Sequence, residues 1–261
     1  MSLEKARRFC KTGEPSYDES DYDRLAPYYR AYSETRTAYL SAVEAIVIRD
    51  MPIDARSMLD VGSGDGVRAA RIARARGLTT LVLCEPSTAM LAAGQIPEAT
   101  DVWPVAAENL PEGGPTFDVV TCLWNVLGHV PDHAARVIAL RRMASLLATN
   151  GSIFLDVNNR YNARTYGWTP TLRRALHDVL SPSKANGDVS MTWSVGGATI
   201  PARTHIFTPR EIDGLLREAG LRIKRRYVVD YDTGERTRFV FEGQLVYELG
   251  SDEARSATIG G

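Results

Sequence analysis

Short apolar runs alternate with amphipathic segments through the middle of the chain. Five near-continuously apolar runs predict buried parallel strands: SMLDVG from Ser57, TTLVLCE from Thr79, DVWPVA from Asp101, FDVVTCLW from Phe117 and SIFLDVN from Ser152. Between them the pattern predicts helices at 66–76, 87–93 and 132–147. Alternation of strands and helices in this order predicts a doubly wound, mainly parallel α/β sheet.

The last third of the chain departs from this alternation. Thr208, Pro209 and Glu211 form a predicted capping box at the start of a helix that ends at Gly220. Two strand-like runs follow, LRIKRRYVVD and FEGQLVYEL, and the short segment YDTGERTR joins them. Because a parallel crossover needs about a dozen or more residues, these last two strands are predicted to pair antiparallel.

Two segments are not needed for the sheet and are predicted to cover its carboxyl edge. Residues 21–50 carry a helical stripe with many tyrosines before it. Residues 159–207 contain two strand-like runs joined by Gly196 and Gly197, which predicts a hairpin. The expected division is a polar tail at 1–20, an N-terminal helical lid at 21–50, the main domain at 51–250 with the 159–207 insertion as a substrate lid, and a tail at 251–261.

Charge and composition narrow the classes of partner. Lys and Arg number 31 against 32 Asp and Glu, so a net charge of -1 gives no global attraction to nucleic acid or to anionic lipid. No apolar run reaches the roughly 18 residues of a membrane span, and the N-terminus has no apolar signal core. The three cysteines form no CxxC pair. We therefore expect a cytoplasmic monomer or homodimer that has a small-molecule partner and binds neither nucleic acid nor membrane.

The stretch LDVGSGDGVRA, residues 59–69, places three glycines directly after the first strand. A glycine-rich turn between a strand and a helix predicts a backbone that closely approaches a ligand. The G-x-G-x-G spacing lacks the third glycine of a dinucleotide fingerprint, and no Gly-Lys-Ser/Thr follows for a phosphate loop. Glu85 stands about 20 residues past Gly66, where a carboxylate can accept hydrogen bonds from ribose hydroxyls. These features indicate an adenosine ligand.

Four stretches occur in a characteristic order: LDVGSGDG, CEPS, AAENLP and FDVVTCLWNVLGHV. Together they resemble the successive motifs of the class I S-adenosylmethionine-dependent methyltransferases of the small-molecule type, and the resemblance covers roughly residues 21–249. It implies a Rossmann-like, seven-stranded sheet with an antiparallel last strand. It also implies S-adenosylmethionine as cofactor, S-adenosylhomocysteine as product, and methyl transfer to N or O of a small-molecule metabolite.

The resemblance also implies roles for individual residues. The implied cofactor-binding residues are Asp60, Gly62, Ser63 and Gly64 at the methionine part, Glu85 at the ribose, Pro86, Ser87, Met90, Ala107, Glu108 and Asn109 around the adenine, and Leu123 and Trp124 at the amino acid end. The candidate substrate-binding residues are Tyr28, Tyr29, Tyr32, Asn125, Arg164, Tyr166, Trp168 and His205. His129 is the candidate general base, because a base with a pKa near 7 assists transfer to a protonated acceptor.

Several alternatives bear on this interpretation. The fourth strand lacks the D/N-P-P-Y/F/W motif of nucleic-acid amino-methyltransferases, and no proline precedes Cys122 as cytosine methylation requires. Asp156, Asn158 and Asn159 supply part of a metal-ligand set, but the fourth-strand carboxylate is missing, so no metal is expected. A non-catalytic protein that binds S-adenosylmethionine or S-adenosylhomocysteine stays open. A nucleotide-dependent oxidoreductase also stays open, although the absence of the third glycine of the dinucleotide fingerprint counts against it.

Overall fold

The structure is a computed structural model that describes residues 19–94 and 100–251. The predicted tails at 1–20 and 251–261 therefore lie almost entirely outside the described residues. The remaining chain forms a central sheet with helices on both faces and a separate hairpin.

The strands alternate with helices as the sequence pattern predicts. The strands are β1 (Ser57–Val61), β2 (Thr80–Cys84), β3 (Asp101–Trp103), β4 (Phe117–Cys122), β5 (Leu147–Val157), β6 (Asp188–Val195), β7 (Ala198–His205), β8 (Leu221–Val229), β9 (Arg236–Thr237) and β10 (Gln244–Ser251). The helices are α1 (Glu19–Leu25), α2 (Tyr29–Glu34), α3 (Thr37–Asp50), α4 (Val67–Arg76), α5 (Thr88–Ala93), α6 (Val126–His129), α7 (His133–Ser145), α8 (Ala163–Tyr166), α9 (Trp168–Leu180) and α10 (Pro209–Glu218). Short 3-10 turns occupy Ala26–Tyr28, Ala107–Asn109 and Val240–Glu242.

The main sheet has the order β3-β2-β1-β4-β5-β10-β8-β9. Strands β1 to β5 pair in parallel, and β10 lies antiparallel between β5 and β8. The predicted α/β class, the Rossmann-like order and the antiparallel last strand are confirmed. The sheet has an eighth strand beyond the expected seven, because the Asp230 carboxylate accepts the amides of Asp232 and Thr233 and turns the chain so that the two-residue β9 pairs with β8.

Alternate residues of each strand face different helix layers. Met58 packs in a cluster with residues of α3 and α4, whereas its neighbour Leu59 packs with residues of α7 and α10. This is the two-residue period of a strand buried on both faces. The result is a three-layer fold. The carboxyl ends of β1, β2 and β4 lie at one common edge of the sheet.

The two predicted lid segments meet over that edge. Leu25 of α1 packs with Trp193 and Ile200 of the β6–β7 hairpin, which turns at Gly196 and Gly197 as predicted. Helix α3, however, does not belong to the lid. Its residues Tyr39, Leu40, Val43, Ile46 and Val47 are buried, and they pack in the same cluster as sheet residues, because their apolar stripe matches the sheet face. Of the predicted 21–50 lid, the part that packs with the hairpin is α1, α2 and the turn between them.

Candidate active site

The glycine turn after β1 has a backbone that side chains rarely adopt. Gly62, Gly64 and Gly66 have φ of 70°, 58° and 69°. A Cβ at Gly64 would lie 2.8 Å from the Tyr29 hydroxyl oxygen and 3.2 Å from Cε of Met90. The absence of side chains here brings bare backbone to the floor of a pocket.

Glu85 ties this turn to the end of β2. Its carboxylate accepts the backbone N–H of Gly64 at 2.9 Å and that of Ser87 at 3.0 Å. Burial raises the pKa of Glu85 to about 7, although the two backbone donors act in the opposite direction. The site therefore contains an acceptor whose protonation changes near neutral pH.

Asp60 lies beneath the glycine turn. One of its carboxylate oxygens accepts the Thr121 hydroxyl at 2.5 Å, and the other has no hydrogen-bond partner within the described ranges. Burial raises the pKa of Asp60, and the nearby Arg68 guanidinium lowers it. An orphaned buried carboxylate oxygen next to the turn suits a cationic ligand group such as an ammonium. Arg68, which the motif reasoning did not select, also donates to the Leu123 carbonyl at 3.2 Å.

Trp124 and Asn125, directly after β4, both have left-handed backbones, with φ of 67° and 59°. Two consecutive non-glycine residues with this backbone conformation are strained, so contacts with neighbouring residues must stabilise them. The buried Asp156 carboxylate stabilises this turn. It accepts the backbone N–H of Trp124, the backbone N–H of Asn125 at 3.2 Å, and the Tyr39 hydroxyl. In the sequence Asp156 was only a candidate metal ligand, whereas here it positions the turn.

Aromatic rings form the wall opposite the glycine turn. Trp124 stacks on Tyr32 with centroids 5.4 Å apart and an interplanar angle of 19°. Tyr22 packs against Trp193 at 5.2 Å and meets His129 edge-on at 5.3 Å. Rings from α1, α2, the β4 end and the hairpin therefore enclose one space.

One pocket joins the glycine turn and this aromatic wall. The sequence-selected residues that line it are Gly62, Gly64, Glu85, Pro86, Ser87, Met90, Ala107, Glu108, Leu123, Trp124, Tyr29, Tyr32, Asn125 and His129. The selected residues outside its lining are Asp60, Ser63, Asn109, Tyr28, Arg164, Tyr166, Trp168 and His205. Asp60 and Ser63 are buried next to the turn, whereas the other six lie elsewhere.

Three of the expected substrate residues lie on the outer side of the insertion. Arg164 pairs with Asp230 at 3.1 Å and Glu242 at 3.3 Å. Tyr166 lies under the Arg174 guanidinium, and Trp168 is 60% exposed. None of the three lines the pocket, whereas Met191 and Trp193 of the hairpin in the same insertion do, so their contact with substrate stays a prediction.

Three further expected residues serve the local structure. Both ring nitrogens of the buried His205 are occupied, Nδ1 by Asp188 and Nε2 by Glu211, each at 2.7 Å. Tyr28 packs against the hairpin turn at Gly196, and the Asn109 amide closes the 3-10 turn onto Ala106. None of these three residues lines the pocket.

The pocket also has lining residues that the motif reasoning missed, namely Tyr22, Leu25, Ala106, Val126, Val130, Asn158, Met191, Trp193, Thr204 and Tyr231. A signal existed for two of them. Met191 and Trp193 alternate along the first strand of the hairpin, so a strand period of two puts them on one face. With the hairpin expected over the carboxyl edge of the sheet, the face that carries Met191 and Trp193 could have been predicted to line the pocket.

His129 differs from a typical general base. Burial lowers the pKa of His129 to about 4, against the opposing effect of a hydrogen bond with the backbone of Arg203. The imidazole is therefore neutral at physiological pH and is a weak base. In this state it can accept a hydrogen bond and orient an acceptor.

This lowered pKa predicts a specific acid sensitivity. Between pH 6.5 and about 4 the unfolded chain protonates at His129 while the folded chain does not. The free energy of unfolding should therefore fall with decreasing pH in this window, by up to about 3 kcal/mol. Urea unfolding of the wild type and of His129→Gln at several pH values measures the difference. The variant should lose this part of the slope, and equal slopes would contradict the assignment.

The sheet order, the glycine turn, the acidic end of β2 and the enclosed pocket at the carboxyl edge define a class I methyltransferase. A family model described as "Methyltransferase domain" matches residues 25–225. The chain belongs to that family, and its cofactor is S-adenosylmethionine. The resemblance stated from the motifs is thereby confirmed.

Three known proteins are similar to this chain in sequence or in fold. The chain is 30% identical over 177 residues to a ubiquinone biosynthesis O-methyltransferase of Pseudomonas aeruginosa. This alignment covers 65% of this chain and 66% of the relative. The CcbJ methyltransferase from Streptomyces caelestis superposes with a TM-score of 0.66 at 19% identity, covering 90% of this chain and 99% of that one. A SAM-bound amino pentose methyltransferase from Micromonospora echinaspora gives 0.56 at 19%, covering 84% and 95%. The match thus spans just under two thirds of the curated relative.

Neither a metal cluster nor a membrane-spanning helix is present in the described part of the chain. Within residues 19–94 and 100–251, no three or more His, Cys, Asp or Glu side chains are grouped as a metal site. None of the helices in these ranges is long and apolar enough to span a bilayer.

Proposed function

We propose that this protein transfers a methyl group from S-adenosylmethionine to N or O of a small-molecule metabolite. The observation that carries the proposal is the single pocket in which the glycine turn and Glu85 face a wall of aromatic rings. The similar proteins include a ubiquinone biosynthesis O-methyltransferase and a sugar N-methyltransferase from Streptoalloteichus, which together support both acceptor atoms.

The cofactor half of the pocket is assigned from the glycine turn and the end of β2. Gly62 and Gly64 offer backbone to the methionine part, and Glu85 accepts the ribose hydroxyls. Pro86, Ser87, Met90, Ala107 and Glu108 bound the adenine. The unpartnered oxygen of Asp60 suits the cofactor's ammonium group. When bound, S-adenosylmethionine supplies an electrophilic methyl carbon.

The acceptor half is assigned to the aromatic wall. Methyl transfer is an in-line displacement, so the protein contributes mainly by aligning the nucleophile and excluding water. Trp124, Tyr32 and Trp193 exclude water, and His129 offers a hydrogen bond to the acceptor. No Arg or Lys stands among the described lining residues, which favours an acceptor without a phosphate or carboxylate group.

A non-catalytic sensor of S-adenosylmethionine is the second candidate function, since it would share the cofactor half. The enclosed aromatic half favours an enzyme, because a sensor has no need of an acceptor space. Turnover separates the two. A sensor would bind S-adenosylhomocysteine tightly and methylate no compound in a broad acceptor library.

Replacing Glu85 tests the cofactor half. Glu85→Ala should weaken S-adenosylhomocysteine binding, because a hydrogen bond to a charged group contributes about 1.5 to 3 kcal/mol. That loss corresponds to roughly 10 to 100-fold in Kd, measurable by calorimetry. Glu112→Ala, which removes a carboxylate with 82% of its side chain exposed, is the control and should bind normally. Unchanged affinity in Glu85→Ala would remove Glu85 from the site.

The same carboxylate should make cofactor affinity depend on pH. With a pKa of about 7, Glu85 takes up a proton as the pH falls through neutrality and becomes a poorer acceptor for the ribose hydroxyls. Binding that requires the ionised form should weaken by about tenfold between pH 8 and pH 6. Calorimetry of S-adenosylhomocysteine across this range should show the slope in the wild type and a flat profile in Glu85→Gln. A sloped profile in Glu85→Gln would assign the proton to another group.

A further inference from the structure

Helix α9 packs on the protein through its polar side. Thr171 is the buried residue of the helix. The Asp178 carboxylate accepts two hydrogen bonds from Arg160, at 2.8 and 2.9 Å, and a third from the Tyr161 hydroxyl at 3.0 Å. A surface helix ordinarily buries its apolar side, so α9 is inverted.

The apolar side of α9 faces outward. Its exposed side chains are Trp168 at 60%, Leu172 at 62%, Leu176 at 60%, Val179 at 77% and Leu180 at 71%. At about 100° per residue these five positions fall within a single arc of about 120°. Phe241, 40% exposed, extends the patch, since its ring lies 6.0 Å from Trp168. We call these six side chains the outer apolar face.

The outer apolar face is contiguous, and no residue in the described part of the chain covers it. Single exposed apolar residues are normal on protein surfaces, but a connected patch on one helix marks an interaction surface. Stabilising the fold does not explain it, because the polar side of the same helix already makes the contacts with the body of the protein.

The charge next to this face is basic. Residues 160–184 include five Arg or Lys and a single acid, Asp178, although the whole chain has a net charge of -1. Asp178 is engaged by Arg160. On the helix wheel Arg173 and His177 follow Leu180 directly, so they border the outer apolar face on one side. Arg160 pairs with Asp178, and Arg164 pairs with Asp230 and Glu242, so the positive charge of this region comes from Arg173, Arg174 and Lys184.

We propose that the outer apolar face docks on a lipid bilayer that contains anionic head groups, with α9 lying in the plane of the interface. An apolar arc with Trp and Leu side chains, flanked by basic residues, is the arrangement that inserts among head groups and attracts acidic lipid. A second copy of the chain fits less well, because an antiparallel two-fold contact would bring the two basic borders together. The proposal does not depend on which acceptor the pocket methylates.

Vesicle flotation of the purified full chain tests this docking. The chain should float with vesicles of phosphatidylcholine and phosphatidylglycerol at least about tenfold more than with phosphatidylcholine alone, and added salt should reduce the bound fraction. Leu176→Glu should lower the bound fraction about tenfold. Ile53→Glu is the matched control, since Ile53 is 95% exposed elsewhere on the surface, and it should bind as the wild type does. Both variants should keep the wild-type melting temperature and S-adenosylhomocysteine affinity.

Three results would overturn the proposal. The first is no flotation with either vesicle, and the second is equal flotation of the wild type and Leu176→Glu. The third is a stable dimer in sedimentation that Leu176→Glu dissociates, because a second copy would then occupy the face. Equal flotation with the two vesicle types would also remove the anionic lipid from the account.

Discussion

Gly64→Val is expected to abolish measurable binding of S-adenosylhomocysteine while the protein stays folded. The backbone φ of 58° is unfavourable for valine, and the new Cβ would lie within 3.2 Å of Tyr29 and Met90 at the pocket floor. The side chain would occupy the space assigned to the cofactor. We expect a loss in affinity of about 100-fold or more, equivalent to about 2.7 kcal/mol.

Gly77→Val is the matched control for Gly64→Val. Gly77 has a similar φ of 62°, but a Cβ there would have no neighbour within 4 Å. Both variants should share the cost of a left-handed valine, about 1 to 2 kcal/mol in the free energy of unfolding. Only Gly64→Val should lose the cofactor in calorimetry. If it binds at wild-type affinity, the glycine turn does not hold the cofactor.

Asp156→Ala is expected to destabilise the protein more than any other single change discussed above. It would leave the backbone N–H groups of Trp124 and Asn125 and the Tyr39 hydroxyl without their buried acceptor. Each buried donor left without its acceptor costs about 1 to 3 kcal/mol, so the three together should cost several kcal/mol. The left-handed turn would also lose its support, so Trp124 should leave its stack on Tyr32. Chemical denaturation measures the first effect, and acceptor turnover of the folded fraction measures the second.

Asp118→Ala separates the two effects of Asp156→Ala. Asp118 accepts the backbone N–H groups of Arg56 and Ser57 at 2.8 and 3.0 Å, at the opposite edge of the sheet. Its removal should lower stability, by a smaller amount since Asp118 is less buried, and should leave turnover per folded molecule unchanged. Full turnover and near wild-type stability in Asp156→Ala would show that the Trp124 turn supports itself.

The sheet and the glycine turn that lines the pocket were predictable because local patterns determine them. Buried parallel strands are continuously apolar, and the strain of the turn after β1 requires glycine, so both features are visible in consecutive residues. The antiparallel pairing of β8 and β10 followed from the length of their link. Glu85 was selected for its place at a strand end, and it lines the pocket, whereas its contact with the ribose stays a prediction.

The acceptor half was less predictable because it depends on how the lids pack. Aromatic residues in the insertion gave no sign of whether α9 or the hairpin would face the pocket, and Trp168 was chosen where Trp193 lines the wall. Asp156 acts through backbone amides 31 and 32 positions away, and sequence spacing does not reveal such a contact. His205 looked available only because its carboxylate partners, Asp188 and Glu211, join it through the folded hairpin and α10.

The most direct test of the proposed methyl transfer uses S-adenosylmethionine with a deuterated methyl group. The wild-type protein is incubated with it and a panel of uncharged phenols and amino sugars, and products are identified by mass spectrometry. We expect one acceptor to gain a single deuterated methyl group on N or O, with an equal amount of S-adenosylhomocysteine formed, and Gly64→Val to give no product. Tight binding of S-adenosylhomocysteine without a labelled product from this panel or from a complete metabolite extract would contradict the account and favour the sensor.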